Sequence, residues 1–107
     1  LQVHPELPVA WISLTPADME LTGAGRDDLD AIVEYPRRLQ GVEVAILFRV
    51  LPDGRTKVSL RSAGDADVAA VARELGGGGH VKAAGALVPH GLDATERLVL
   101  EAIGKAL

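Results

Sequence analysis

The chain has 107 residues, 48% of them hydrophobic, which is one domain's worth of sequence and enough to close a single core without covalent staples. Cysteine is absent, which excludes a disulfide framework, a thiolate metal site and a thiol nucleophile. A net charge of -4 and one residue each of Phe, Trp and Tyr argue against a broad basic face for long nucleic acid and against a multi-ring stacking platform, but leave room for a small anion held by a few local cations.

No apolar run reaches membrane-spanning length and no signal-peptide pattern opens the chain, so a cytoplasmic protein is expected. The first residue is Leu1 rather than methionine, which reads as a piece of a longer protein. Residues 1–8 carry two prolines and little apolar periodicity, and read as a linker or extended arm in which His4 has no assigned role. Val9 to Leu14 has the length and character of a strand. Thr15 and Pro16 then look like an N-cap with proline at the first helical position, opening a short turn through Leu21. After a loop over 22–25, Asp27 or Asp28 caps a helix with Leu29, Ile32 and Val33 on one face, ended by Pro36. Asp28, Asp30 and Glu34 are read as its solvated face rather than as a metal cluster, and Arg37 and Arg38 as its solvated end.

Val42 to Leu51 gives the strongest strand pattern, with Val44, Ile46 and Phe48 on one side and Ala45, Leu47 and Arg49 on the other. Pro52, Asp53 and Gly54 supply a turn, and Arg55 to Ser62 returns as the partner strand, projecting Lys57, Ser59 and Arg61 from its more polar face. Asp65 or Asp67 caps the next helix, whose apolar stripe is Val68, Val71, Ala72 and Leu75. A glycine run follows, then a short strand over Ala86 to Val88, a turn at Pro89, His90 and Gly91, and a last helix over about 93–106 burying Leu98, Val99, Ala102, Ile103 and Ala106. The order strand, helix, strand, strand, helix, strand, helix predicts a single α/β domain over 9–107, with a small mixed sheet covered by helices.

The chain's most specific stretch is Gly76 to Gly79 followed by His80, Val81, Lys82, Ala83, Ala84 and Gly85. Gly76 alone fits a helix C-cap with slack chain beyond it, His80 alone a surface histidine, and Lys82 alone a solvated charge. Together with Arg61 and Ser62 at a strand end beside a helix start, they make a local anion site: a planar guanidinium fork, backbone N–H groups without a Cβ in the way, an imidazole and an ammonium. What would make that site hydrolytic is missing. No histidine lies beside an aspartate at metal-ligand spacing, and neither a Ser-His-Asp set nor a Walker sequence is present, so catalysis by this chain alone is not expected.

Ser59-Leu60-Arg61-Ser62, Asp67 to Ala72, and the glycine run with His80, Ala83, Ala84 and Gly85 resemble the DHH-associated C-terminal domain of DHH phosphoesterases. Gly41 to Ala45 and the Pro52-Asp53-Gly54 turn match as well, so the resemblance covers essentially the whole chain. Among the branches it is nearest to the bacterial oligoribonuclease and 3′-phosphoadenosine-5′-phosphate phosphatase type. RecJ-like exonucleases and cyclic-di-AMP phosphodiesterases share the domain, and alanyl-tRNA synthetase tails carry a related one. The resemblance implies an N-terminal domain with an Asp-His-His motif that holds two manganese ions and hydrolyses, and a C-terminal domain that binds substrate and closes the cleft. It implies short single-stranded oligonucleotides or mononucleotides as ligands, and is compatible with a homodimer of the parent protein. Carried over by position, Arg61 and Ser62 contact phosphate or sugar, and Gly77, Gly78 and Gly79 lie against a phosphate or base. His80 points towards the phosphate being cleaved. No Asp-His-His motif stands in this sequence. Two other classes remain alongside a binding module: a free-standing enzyme with His80 as acid or base, and a structural or dimerisation domain whose glycines permit close packing.

Overall fold

The computed structural model describes residues 1–18 and 41–107. The helix expected from Asp27 or Asp28 to Pro36, with Arg37 and Arg38 at its end, lies outside the described residues. The described elements are β1 (Gln2–Val3), β2 (Val9–Leu14), β3 (Val44–Val50), β4 (Thr56–Ser62), α1 (Val68–Glu74), β5 (Gly78–His80), β6 (Ala83–Val88) and α2 (Leu92–Ala106). The strands form one sheet in the order β1-β2-β3-β4-β6-β5. Strands β2 and β3 are parallel and every other pair is antiparallel, so the expected mixed α/β architecture holds.

Alternation along the strands decides which face carries the core. Val9, Trp11, Val44, Ile46, Phe48, Val58 and Leu60 share one face and pack with Val68, Val71 and Ala72 of α1 and Val99, Ala102 and Ile103 of α2. Phe48, Ile46, Val58 and Leu60 are fully buried, each stabilising the fold by about 1.5–3 kcal/mol relative to exposure. Asp67 caps α1 by accepting the Ala70 N–H at 3.1 Å. Gly76, at φ 86, occupies the left-handed position just after that helix, as the cap reading of this glycine expects. The start of α2 is fixed from the core side, where the buried hydroxyls of Thr56 and Thr95 both donate to the His90 carbonyl, at 2.8 and 3.2 Å. Thr15 and Asp18 form the expected cap: the carboxylate of Asp18 accepts the Thr15 N–H and hydroxyl, and the Thr15 hydroxyl accepts the Asp18 N–H.

Within the expected extended arm, Gln2 and Val3 pair with Trp11 and Ala10 as an edge strand. Three expectations need correction. His4 has a structural role in that arm: its Nδ1 accepts the N–H groups of Glu6 and Leu7 at 3.0 and 2.9 Å, and its ring lies 6.5 Å from that of Trp11. The last two glycines of the run are strand rather than loop, and β6 starts at Ala83 rather than Ala86, because β5 and β6 form a hairpin closed by Val81 and Lys82. On α2, Leu98 is 42% exposed and Ala106 is also exposed, so the buried stripe is narrower than predicted.

Candidate functional site

The register places the predicted cations. Arg61 on β4 stands opposite Ala83 on β6, and Ala83 stands opposite His80 on β5. Residues directly opposite in antiparallel strands share a face, so Arg61, Ala83 and His80 form one row on the face turned away from α1 and α2. With two strand spacings between them, the backbones of Arg61 and His80 lie about 10 Å apart, the width of a small ligand held from both sides. Arg61 is half-buried and donates through its Nη1 to the Leu60 carbonyl at 2.9 Å, which engages one terminal nitrogen of the fork; His80 is exposed.

One row further along, Ser59, Gly85 and Gly78 line up on the same face. This floor carries no side chain larger than a hydroxymethyl group, and it lies directly beside the cationic row. The four glycines of the run are not equivalent. A Cβ on Gly77 would meet the Gly85 carbonyl oxygen at 2.1 Å, and one on Gly79, whose φ is 146, would meet the Ala84 Cα at 2.6 Å. Both therefore serve the close approach of β5 to β6. A Cβ on Gly78 would have nothing within 4 Å. Internal packing explains Gly77 and Gly79, whereas glycine at 78 keeps the space above the floor open.

The hairpin that carries His80 is held by its backbone. The Val81 carbonyl accepts the Val68 N–H at 3.0 Å, the Lys82 carbonyl accepts the Ser62 N–H at 2.9 Å, and the Gly77 N–H donates to the Ala72 carbonyl at 2.7 Å. Lys82 also donates its ammonium to the Gly64 carbonyl, so it clamps the turn against the loop after β4.

Not every predicted site residue converges. Ser62 is buried, faces the helical side opposite to Arg61, and donates its hydroxyl to the Gly64 carbonyl at 3.1 Å. Its part is to hold the loop and, through its N–H, the turn. At the start of α1 the Val68 N–H already donates to the Val81 carbonyl and the Ala70 N–H to Asp67, so two of the donors that the sequence suggested are engaged within the fold. The structure brings together Arg61, Gly78 and His80, with Lys82 at the turn between β5 and β6. Ser59 and Gly85 were missed as floor residues, although counting in twos from Arg61 and Ala83 reaches both.

The opening of about 160 Å³ between α1 and α2, lined by Glu74, Leu75, Leu98, Glu101, Ala102 and Lys105, is a poor anion site. Its lysine already lies 3.9 Å from Glu101, which leaves the carboxylate of Glu74 in excess. Among the described residues no three His, Cys, Asp or Glu side chains converge as metal donors. No helix among the described residues is long and apolar enough to cross a membrane.

Comparison with known proteins places the chain in a family. The family described as "DHHA1 domain" matches residues 18–107. The bifunctional oligoribonuclease and PAP phosphatase NrnA of Thermus thermophilus is 40% identical over 97 residues, covering 88% of this chain and 29% of that protein. The chain thus spans under a third of that curated relative. The crystal structure of an exopolyphosphatase-related protein from Bacteroides fragilis superposes with a TM-score of 0.88 at 26% identity, covering 97% of this chain and 31% of the other. The C-Ala domain of Aquifex aeolicus alanyl-tRNA synthetase shares the fold, with a TM-score of 0.62 at 15% identity over 88% of each chain.

Proposed function

The chain belongs to the DHHA1 domain family, and from that premise we propose that it is the substrate-binding half of a manganese-dependent phosphoesterase acting on short oligoribonucleotides and related nucleotides. The observation that carries the reading is the row Arg61, Ala83, His80 beside a floor without side chains. A phosphate between Arg61 and His80 meets a guanidinium on one side and an imidazole on the other, charge-assisted donors that favour a phosphoryl oxygen. The sugar or base then lies over Ser59, Gly85 and Gly78, where a Cβ at position 78 would intrude. The described residues bind and orient; the hydrolytic metals and their ligands belong to a separate N-terminal domain. The reading in which the glycines serve packing alone is supported at Gly77 and Gly79 but leaves Gly78 unexplained.

The test is an amide-resolved titration of the chain with the dinucleotide pApA, without metal. Shifts are expected at Arg61, Gly78, His80 and Lys82. Arg61→Ala should weaken binding about tenfold or more, the worth of a hydrogen bond to a charged group. Unchanged affinity in both Arg61→Ala and His80→Ala overturns the reading.

A further inference from the structure

Two rows from Arg61 on the same face, Arg49 of β3 stands directly opposite Lys57 of β4, and Leu87 of β6 stands on the other side of Lys57. That face is covered over β3, where Ala45 and Leu47 are buried, and its accessible part is the strip over β4 and β6. Like charges directly opposite on one face of a ladder repel. Neither Arg49 nor Lys57 makes an ion pair among the described residues. The carboxylate at the adjoining turn, Asp53, is already engaged by Arg55 at 2.7 Å. Lys57 is exposed, Arg49 is half-buried, and Leu87 is 44% exposed, so an apolar side chain lies open beside two cations that are paired with no anion among the described residues.

Resting on the nucleotide reading above, we propose that Arg49 and Lys57 form a second phosphate locus, and that the accessible strip over β4 and β6 takes a single-stranded oligonucleotide running along β4. Lys57 and Arg61 are four residues apart on one strand, a separation of about 13 Å at roughly 3.3 Å per residue. That exceeds the reach of one sugar–phosphate linkage. A mononucleotide therefore fills the Arg61–His80 locus alone, whereas a trinucleotide spans both. Between the loci the strand crosses Ser59 and Gly85, and Leu87 gives an apolar surface on which a base can rest beside Lys57. An external phosphate also relieves the repulsion of the opposed pair, which ties binding at this locus to the anion rather than to shape alone.

The test titrates the full chain with pA, pApA and pApApA in the wild type, in the double variant Arg49→Gln/Lys57→Gln, and in Arg61→Ala. In the wild type pApApA should bind about three- to fivefold more tightly than pA, the scale of an exposed charge contact. The double variant should lose that increment with pA affinity unchanged, and its log K against log salt slope for pApApA should shrink by about 0.7, one phosphate's worth on a single strand. If the double variant keeps the length dependence while Arg61→Ala abolishes binding, the second locus is overturned and the first stands. If no length of ligand moves the amides of Arg61 to His80, both are overturned. Should the double variant lose its native amide dispersion, Lys57→Gln alone, at an exposed position, reads the same length dependence.

Discussion

The hairpin of β3 and β4 and the hairpin of β5 and β6 belong to one sheet, yet different parts of the chain stabilise them. Strands β3 and β4 have seven residues each, and their inward positions Val44, Ile46, Phe48, Val58 and Leu60 are buried to 1% exposure or less. Side chains hold that hairpin, and its register follows from them. Strand β5 has three residues, all exposed, two of them glycine. Its turn, Val81 and Lys82, has no positive φ and so is not one of the primed turns that favour tight hairpins. A ribbon of that kind is marginal in water on its own. Here it is fixed by backbone hydrogen bonds from Val68, Ser62 and Gly77 to the carbonyls of Val81, Lys82 and Ala72. A surface can thus be ordered without being filled, which is what a ligand floor requires.

The sharpest way to break the comparison is to add one methyl group at successive glycines. Gly77→Ala drives a Cβ into the Gly85 carbonyl and Ala86, backbone and short side chain that cannot swing away, and should destabilise by about 1–3 kcal/mol or more in a urea melt. Gly78→Ala meets nothing within 4 Å and should leave stability within about 0.5 kcal/mol. It should nevertheless weaken pApA binding, since its methyl group stands on the floor. Equal melts for the two variants would mean that β5 is not held by close backbone approach.

A smaller effect is expected at the tether. Asp67→Ala removes the cap of α1 and should cost about 1 kcal/mol. Because Val68 carries the hydrogen bond to the turn, amide exchange should quicken at His80 and Ala83 before it does in β3 and β4. Uniform quickening across both hairpins would show that they open as one unit.

What the residue pattern disclosed, and what it hid, follows the same division. The alternation of Val58 and Leu60 with Lys57, Ser59 and Arg61 placed Arg61 on the open face without any coordinates. The same count in twos puts Ser62 on the core side, so its assignment to the ligand site conflicted with a signal already present. Strand β5 was illegible because glycines carry no hydrophobic period, and its pairing depends on backbone approach that leaves no mark on side-chain chemistry. The edge strand at Gln2 and Val3 is too short to show a pattern and is flanked by proline-rich chain. Opposition of Arg49 to Lys57 needs the register of the turn, which composition does not give. The residue types already grouped the glycine run and His80 with Arg61; only the strand register gave Gly78 and His80 a common face with Arg61.

The least of the expected effects lies in the turn of the side-chain-held hairpin. Asp53 accepts the Arg55 N–H at 3.0 Å and its guanidinium at 2.7 Å, and the backbone hydrogen bond first, then the guanidinium, hold its carboxyl below the ordinary value of 3.8. A carboxyl lowered on folding contributes stability that is fully present above its unfolded value and is lost as pH falls through the folded one. Acidification should therefore move the Arg55 amide resonance with a midpoint below 3.8, and Asp53→Asn should abolish that movement. The Ser62 amide, bonded to the Lys82 carbonyl at 2.9 Å, has no carboxylate in its hydrogen bond and should not follow the same curve. If Ser62 tracks Arg55 through the titration, the two turns are coupled through β4, and the division between a side-chain-held and a backbone-held hairpin is too sharp.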